Sequence, residues 1–286
     1  MERQGHRLAY LPHPHPHPTA LPIIWIHGLT GSVHFWEAAM YEEVRHSRSW
    51  YSVSLPLHYP SVFAGRPSKD SLNEDLLADL LHDVIRACVP TGDFHLAGYS
   101  VGGFTALNYA AKYPARVASV ISIGGFLTGR ARGIEGVLQF FAKGTFFRKG
   151  IFYATYWSMQ RHRIFFKLAT LAYARKWRAL LAYPELEATI HHVFPDVQRH
   201  SLAGQKVWFH YLLTMNLLDE THAIEHPTLV IAGDRDPVIP YHHQRACAEL
   251  LPNAELVTLP GVGHVAFAEA AQLFKRTVLA WLDRRG

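Results

Sequence analysis

The chain contains only two cysteines, Cys88 and Cys247, in 286 residues. Two cysteines are too few for a disulfide framework, and neither belongs to a C-x-x-C pair or to a spacing typical of a metal site. Both fall within segments that we predict to be helical, so we expect them to be buried thiols. The cysteine pattern therefore indicates neither a metal centre nor a disulfide-stapled scaffold.

Long apolar runs and targeting segments are also missing. No uninterrupted apolar run reaches the ~18 residues that a membrane-spanning helix needs. The first residues lack an apolar segment followed by a small-residue cleavage site, as a signal peptide would have. The chain has no dense Lys/Arg run and no signature of a nucleic-acid-binding module. We therefore expect a cytoplasmic protein with no transmembrane segment and no nucleic-acid partner.

Positive charge is concentrated in one internal segment. The formal net charge is +5, but residues 127–222 alone contain 13 Lys and Arg against 6 Asp and Glu. The remainder of the chain is slightly acidic. The simplest interpretation of the basic segment is a solvated cationic face, and the alternatives are attraction to anionic lipid or to an acidic substrate.

The N-terminal region contains the unusual stretch "PHPHPHP" after residues 7–11, which have the pattern of a short strand. Alternating prolines force an extended, polyproline-like path. The histidines suggest a metal site, but side chains on so stiff a segment cannot readily surround one ion. We interpret the stretch as a linker and predict no metal.

From Leu21 onward, short apolar runs alternate with segments of helical periodicity. The runs, which we predict to be strands, are "LPIIWIHG", "WYSVSL", "FHLAG", "VASVISIGG", the apolar part of "HPTLVIAGDRDPVIP" that precedes "GDRD", and "AELVTLP". The predicted helices lie at 33–45, 71–88, 102–113, 241–251 and from 265 to near the end. Strands that are apolar throughout and alternate with helices indicate a mostly parallel sheet with helices on both faces. The predicted fold class is therefore α/β.

This alternation stops at residues 127–222, which we call the insertion. The insertion has no strand-like run, contains 17 of the 36 aromatic residues and includes several helical stretches. We predict that residues 1–126 and 223–286 form one α/β core and that the insertion is a helical cap between two strands of its sheet.

The stretch "GYSVGG" places Ser100 between a predicted strand and a predicted helix. A sharp turn there would lift the hydroxyl above the strand ends, and the N–H groups of the following helix would favour an oxyanion. A glycine-rich loop for phosphate is the alternative, but no G-K-[ST] ending follows and no dinucleotide fingerprint is present.

A serine nucleophile needs a base, and the base needs a group that orients it. "GDRD" follows one later strand and contains Asp234 and Asp236, and "PGVGH" follows the next strand and contains His264. Carboxyl ends of parallel strands meet at one edge of the sheet, so these side chains are candidates for one site. The order Ser, Asp, His suits this arrangement.

Four separated motifs, "HGLTGS", "GYSVGG", "GDRDPVIP" and "GVGH", give the chain a resemblance to the α/β-hydrolase superfamily, in its cap-bearing serine hydrolase and esterase branch. The resemblance covers about residues 21–286. It implies Ser100 as nucleophile, His264 as base, and Asp236, with Asp234 as runner-up, as the orienting acid. It also implies an oxyanion hole formed by the backbone N–H groups of Leu29 and Val101, and no cofactor.

The resemblance has three further consequences. His27 of "HGLTGS" is expected to order that loop by hydrogen bonding rather than to take part in the chemistry. Serine at the elbow argues against an epoxide or haloalkane hydrolase, which need aspartate there. The loop "SLPLHYPSVFAGRPS" replaces the D-x-x-G-x-G-x-S pattern common in relatives, so we expect a differently shaped loop over the site.

The function that we predict is cleavage of a carboxylic ester of an apolar small molecule through an acyl-enzyme. C–C bond hydrolysis, thioester cleavage, perhydrolysis, acyl transfer and a non-catalytic ligand-binding role stay open as alternatives. Aromatic residues of the insertion are expected to line the pocket, with Tyr153, Tyr156, Trp157 and Trp208 as candidates. The basic, aromatic stretch "LQFFAKGTFFRKGIFYATYW" also allows peripheral contact with a membrane surface.

Overall fold

The central element of the protein is a seven-stranded sheet, seen in a computed structural model that describes residues 5–129 and 131–286. The strands are β1 (Tyr10–His13), β2 (Ile23–Ile26), β3 (Trp50–Val53), β4 (Phe94–Tyr99), β5 (Val117–Ile123), β6 (Thr228–Gly233) and β7 (Ala254–Leu259). Their order across the sheet is β1-β3-β2-β4-β5-β6-β7. All neighbours pair in parallel except β1, which is antiparallel to β3.

Every residue of β2, β4 and β6 is buried, so both faces of the sheet are covered. The predicted α/β class, with a mostly parallel sheet between helices, is confirmed. The α-helices are α1 (Glu42–Ser47), α2 (Glu74–Cys88), α3 (Val101–Lys112), α4 (Gly133–Ala142), α5 (Phe146–Arg161), α6 (Arg163–Ala172), α7 (Trp177–Leu181), α8 (Leu186–Val197), α9 (Leu202–Tyr211), α10 (Tyr241–Leu250), α11 (Ala266–Glu269) and α12 (Ala271–Asp283). No helix of the described ranges is both long and apolar enough to cross a bilayer.

The first strand begins three residues later than predicted and extends to His13, so that β1 includes the beginning of "PHPHPHP". Tyr10 pairs with Val53 and His13 pairs with Trp50. The imidazole of His13 stacks on the Trp50 indole at 3.6 Å between ring centroids. Pro12 is accommodated because β1 is an edge strand, where a missing N–H costs no ladder hydrogen bond. The linker interpretation is therefore wrong for Pro12 and His13.

The helix predicted at 33–45 is also largely wrong. Residues 33–39 form turns, and only Glu42–Ser47 is helical. Ser32 Oγ accepts the N–H of His34, and this local bond competes with helix formation. Trp36 is buried against Trp25 with ring centroids 4.7 Å apart. Tertiary packing of the aromatic side chain therefore outweighs the helical pattern of the segment.

Six helices, α4 to α9, lie between β5 and β6. The described residues of the insertion, 127–129 and 131–222, contain no strand of the sheet. A single antiparallel bridge between Thr128 and Asn216 joins the two ends of the insertion. The described structure is thus compatible with one core and one helical insertion, and the boundaries 127 and 222 stay a prediction.

Candidate active site

Ser100 lies at the sharp turn between β4 and α3. Its backbone has φ +56° and ψ −118°, a conformation that residues with a Cβ rarely adopt. The Ser100 N–H donates to the carbonyl of Ile123 over 2.8 Å, which ties the turn to the end of β5. A Cβ on Gly98 would lie 2.0 Å from the Gly102 carbonyl oxygen, and one on Gly102 would lie 2.6 Å from the His27 oxygen. These two glycines therefore make the turn sterically possible.

His264 follows β7, and its imidazole contacts Asp236, which follows β6. His264 Nδ1 and Asp236 Oδ2 are 2.7 Å apart, and both side chains are buried. Asp236 Oδ1 accepts the backbone N–H groups of Val238 and Ile239, and Oδ2 also accepts from Gln244 Nε2. Since both carboxylate oxygens act as acceptors, Nδ1 of His264 carries the proton and Nε2 is left as the acceptor.

Asp234 has a different position. Its Oδ1 accepts the N–H of Gly261 over 2.6 Å, which joins the loop after β6 to the loop after β7. Of the two carboxylates in "GDRD", the structure thus brings Asp236, and not Asp234, to His264.

Ser100 and His264 approach the same short segment at the end of β5. Ser100 bonds to the carbonyl of Ile123, and a Cβ on the next residue, Gly124, would lie 3.2 Å from both Cε1 and Nδ1 of the His264 ring. Within the described ranges, no hydrogen bond joins Ser100 Oγ and His264 Nε2. Hydrogen bonds of this kind are often long before substrate binds. The three side chains therefore share one edge of the sheet.

Two backbone N–H groups beside Ser100 have no acceptor within the described part of the chain. Among the described residues, neither the Leu29 nor the Val101 N–H donates a hydrogen bond. Gly28, next to Leu29, is so close to Ser100 that an added Cβ would lie 3.3 Å from the Ser100 Cβ. Buried N–H groups normally find an acceptor, so two unpaired ones beside a serine form a site that suits an anionic oxygen.

A cavity of about 70 Å³, partly open to solvent, lies beside this edge. It is lined by Leu29 and by the immediate neighbours of Ser100 and His264, namely Tyr99 and Val265. Its other lining residues come mainly from the insertion and the loop after β2, and none carries a charged side chain: Thr30, Gly31, Phe35, Phe166, Thr170, Tyr173, Leu180, Tyr183, Leu186, Thr189, Ile190, Val193, Phe267 and Ala268.

The aromatic residues proposed from sequence as pocket residues do not line this cavity. Tyr156 is buried and donates to Gln205, Trp208 is buried and donates to the Pro56 carbonyl, and Trp157 is exposed. Tyr153 packs at the edge of the core. The sequence showed that the insertion is aromatic, but the helix orientations decide which rings face inward.

Residues 22–271 match the model of a protein family described as alpha/beta hydrolase fold. The chain belongs to this family. It is 29% identical over 273 residues to the dihydrolipoyllysine-residue acetyltransferase component of an acetoin cleaving system from Pseudomonas putida, covering 92% of this chain and 64% of that protein. The chain thus spans less than two thirds of that relative's length.

Two further proteins are similar to this chain over most of its length. Lipase 3 of Moraxella sp. (strain TA144) is 24% identical over 260 residues, which cover 89% of this chain and 75% of the lipase. The crystal structure of the enol-lactonase from Burkholderia xenovorans LB400 superimposes with a TM-score of 0.73 at 20% identity, covering 98% of this chain and 97% of that one. This structural similarity to the enol-lactonase shows the fold of the chain.

His27 holds the "HGLTGS" loop of this hydrolase-fold protein, as expected. Its Nδ1 donates to the Gly28 carbonyl over 2.7 Å, and its Nε2 accepts the Leu55 N–H over 3.1 Å. Burial lowers the pKa of His27 to about 3, so the ring is neutral at ordinary pH. A neutral ring with one donor and one acceptor nitrogen satisfies both partners at once.

Two histidines that the sequence did not single out extend this network. His200, just after α8, donates through Nε2 to the Gly31 carbonyl and accepts the Tyr59 N–H at Nδ1. Burial lowers its pKa to about 4. The ring of His58 lies between those of His27 and His200, with centroids 5.1 and 4.9 Å away. These contacts connect the insertion to the loop that carries Leu29.

A buried carboxylate, Glu269 at the end of α11, holds the loop around His264. It accepts backbone N–H groups on both sides of that residue, from Gly263 at 2.9 Å and Val265 at 3.2 Å. The same carboxylate accepts the N–H groups of Arg175 and Lys176 in the insertion. The helix predicted from residue 265 onward is interrupted at Ala270, directly after Glu269.

The insertion also contacts His264 directly, because the His264 N–H donates to the Tyr173 carbonyl over 3.0 Å. The Tyr173 hydroxyl in turn bonds to Glu135 of α4. Burial raises the pKa of Glu135, although the charge of His264 and the bond from Tyr173 lower it. A single acidic residue within an otherwise apolar stretch, as in "VAFAEAA" and "GIEGVL", is the signal that could have identified Glu269 and Glu135.

The electrostatic environment favours the charged form of His264. Burial lowers its pKa, but the charges of Asp236, Glu135 and Glu269 and the hydrogen bond to Asp236 outweigh burial and raise it above the usual value. An imidazolium formed during a proton transfer would therefore be stabilised. Within residues 5–129 and 131–286, no group of three or more His, Cys, Asp or Glu side chains is arranged to hold a metal ion.

Proposed function

We propose that the protein is a serine hydrolase that cleaves a carboxylic ester of an apolar small molecule through an acyl-enzyme. The observation that carries the proposal is the buried His264–Asp236 pair at the sheet edge where Ser100 occupies a strained turn beside two unpaired N–H groups. These are the parts that acyl transfer through a serine requires.

In the proposed mechanism, Ser100 Oγ attacks the ester carbonyl carbon while His264 Nε2 takes the hydroxyl proton. Asp236 keeps the imidazole oriented through Nδ1 and stabilises its charged form. The Leu29 and Val101 N–H groups bind the oxyanion of the tetrahedral intermediate, and one such donor contributes about 3 kcal/mol of transition-state stabilisation. His264 then protonates the leaving alcohol, and water enters to release the acid by the same steps in reverse.

The substrate class follows from the cavity. Its lining contains aliphatic, aromatic, hydroxyl and glycine residues but no charged side chain, so it favours an uncharged, apolar acyl or alcohol group. Because helices α6 and α8 of the insertion contribute Phe166, Ile190 and Val193 to that lining, we propose that the insertion is the cap of the substrate pocket. The names lipase and enol-lactonase given to two similar proteins fit an ester-type bond.

The experiment is turnover of p-nitrophenyl esters of increasing acyl length, together with labelling by a fluorophosphonate probe. We expect the wild type to be active and labelled, and Ser100→Ala to lose both properties. Ser122→Ala is the matched control, because this serine is buried nearby on β5 and its hydroxyl has no hydrogen-bond partner in the described structure. Equal turnover by wild type and Ser100→Ala would contradict the proposal.

Acyl transfer to an acceptor other than water is the second candidate. It is favoured by the 29% identity to a protein named as an acetyltransferase component, of which this chain spans 64%. The same acyl-enzyme would serve both reactions, since only the nucleophile of the second half differs. Adding alcohol, amine or thiol acceptors during ester turnover separates them: formation of the acylated acceptor at the expense of free acid indicates transfer.

A further inference from the structure

The exposed surface of helices α4, α5 and α6 is rich in apolar side chains. Phe146 is 95% exposed and Phe147 is 76% exposed, both in the first turn of α5. Phe140 of α4, Trp157 of α5, and Phe165 and Leu168 of α6 are exposed as well. A monomeric protein rarely leaves a large apolar patch in water, and such patches usually mark an interaction site.

These side chains form two groups of neighbours, one at each end of α5. The Arg148 guanidinium lies 4.3 Å from the centroid of the Phe140 ring, which joins α4 to the turn that carries Phe146 and Phe147. At the other end of α5, ring contacts run from Trp157 through His162 to Phe165. Phe165 and Leu168 line an apolar groove between α4, α5 and α6.

The surrounding charge is of one sign. Residues 136–184 contain nine Lys and Arg and no Asp or Glu. Arg163 and Lys167 are paired with Glu187 of α8. The other seven form no ion pair in the described structure, and four of them lie on α5 or at the end of α4, beside these apolar side chains: Lys143, Arg148, Lys149 and Arg161. We call these four and the six apolar side chains above the aromatic–basic face.

The charge and the apolar side chains of the aromatic–basic face indicate which kind of partner binds it. A second copy of the chain would bring two positively charged faces together, which is repulsive. An anionic partner is complementary. The rings of Phe146 and Phe147 project into solvent. Projecting rings can insert into a lipid headgroup region, whereas a rigid protein surface would need a matching pocket for them. Aromatic and aliphatic side chains flanked by Lys and Arg are the pattern that binds the headgroup region of anionic bilayers.

We propose that the aromatic–basic face docks the protein on an anionic lipid surface. Phe146 and Phe147 enter the headgroup region, and Lys143, Arg148, Lys149 and Arg161 lie against the lipid phosphates. This docking does not depend on the proposed ester cleavage, since none of these residues belongs to the site around Ser100.

The test is co-sedimentation of the full chain with vesicles of phosphatidylcholine containing about 30% phosphatidylglycerol, against vesicles of phosphatidylcholine alone. We expect at least about tenfold stronger partitioning into the anionic vesicles at low salt, and its loss at high salt. Each basic residue near such a surface contributes about fivefold, so Arg148→Glu/Lys149→Glu should lower partitioning by about 30-fold or more. Phe146→Ser/Phe147→Ser should lower it at least about tenfold.

Two control variants change net charge or exposed apolar area by similar substitutions outside the aromatic–basic face. Arg86→Glu/Arg276→Glu alters the net charge equally at two exposed arginines that make no ion pair in the described structure. Leu250→Ser/Leu273→Ser removes two exposed apolar side chains outside the face. Both controls should bind like the wild type. Circular dichroism and turnover of a soluble ester check that each variant is folded.

Three results would overturn the proposal. The first is equal partitioning of the wild type into both kinds of vesicle. The second is loss of binding in Arg148→Glu/Lys149→Glu with no effect of Phe146→Ser/Phe147→Ser, which would show attraction of charge alone, without entry of the two rings into the headgroup region. The third is sedimentation velocity showing a dimer that Phe146→Ser/Phe147→Ser dissociates, which would assign the face to self-association.

Discussion

At the scale of single residues, the His264 imidazole is held from several directions at once. Asp236 binds its Nδ1, Tyr173 accepts its backbone N–H, and Glu269 accepts the N–H groups of both neighbours in the chain. Such support keeps the imidazole in a narrow range of positions, which matters for the proposed proton transfer because small displacements reduce rates strongly.

Asp236 and Asp234 give a first residue-scale prediction. Asp236→Asn should lower kcat for a p-nitrophenyl ester by about 10⁴-fold, because an amide in place of the carboxylate supports the wrong imidazole tautomer. Asp234→Asn should leave kcat within about tenfold of the wild type, since Asp234 contacts Gly261 and not His264. Steady-state kinetics of both variants check this, and equal losses would remove the basis for choosing Asp236.

The pH dependence gives a second prediction. The base must be neutral to accept a proton, and the pKa of His264 is raised, so kcat/KM should fall on the acid side through a pKa above the ordinary 6.5. Because Glu269 contributes to this elevation, Glu269→Gln should lower that apparent pKa. It should also reduce kcat/KM by about tenfold, since an amide cannot accept all the N–H groups around it.

Asp196→Asn is the control for Glu269→Gln. Asp196 is also a largely buried carboxylate that links the insertion to the core, here through His34 Nδ1 at 2.7 Å. The charges that raise the pKa of His264 are those of Asp236, Glu135 and Glu269, and Asp196 is not one of them. The pH profile of Asp196→Asn should therefore match the wild type. A Glu269→Gln enzyme with an unchanged apparent pKa would contradict the assigned electrostatic effect.

At the scale of secondary-structure elements, the turn between β4 and α3 depends on the absence of side chains. Gly98→Ala should destabilise the protein by about 3 kcal/mol or more, because the new methyl group would overlap the Gly102 carbonyl and neither backbone can shift freely. Gly150→Ala in α5 is the opposite case, with no atom within 4 Å of the added methyl. It should stabilise the protein by about 0.5–1 kcal/mol. Urea unfolding of both variants measures the two free energies, and equal effects would show that the close approach at Gly98 is not tight.

Element positions were predictable where the local pattern was strong. The predicted helix at 71–88 corresponds to α2, whose first N–H groups are capped by Asn73 accepting from Leu76. The prediction of a helix at 33–45 was largely wrong because a buried aromatic contact, Trp36 on Trp25, sets the conformation of this segment. Periodicity reports only the local preference of a segment, and packing against a neighbouring strand can override that preference.

At the scale of the whole molecule, core and insertion together form the cavity. Val193 of α8 lines it from the insertion, whereas Tyr99 and Val265 line it from the core. Val193→Phe should therefore shorten the accepted acyl chain, lowering kcat/KM for an octanoate ester by about tenfold or more relative to the acetate ester. The ratio of the two kcat/KM values measures this. An unchanged ratio would indicate that the acyl group binds elsewhere.

The sequence by itself determined the α/β class, the apolar strands and the positions along the chain of Ser100, Asp236 and His264, because strands, turns and helix starts leave local patterns. Their roles in catalysis stay predictions. Only the tertiary structure decided which carboxylate meets His264, which side chains face the cavity, and that Glu269, Glu135, His58 and His200 surround the site. These contacts join segments tens to more than a hundred residues apart, and the orientation of packed helices, which no local pattern specifies, creates them.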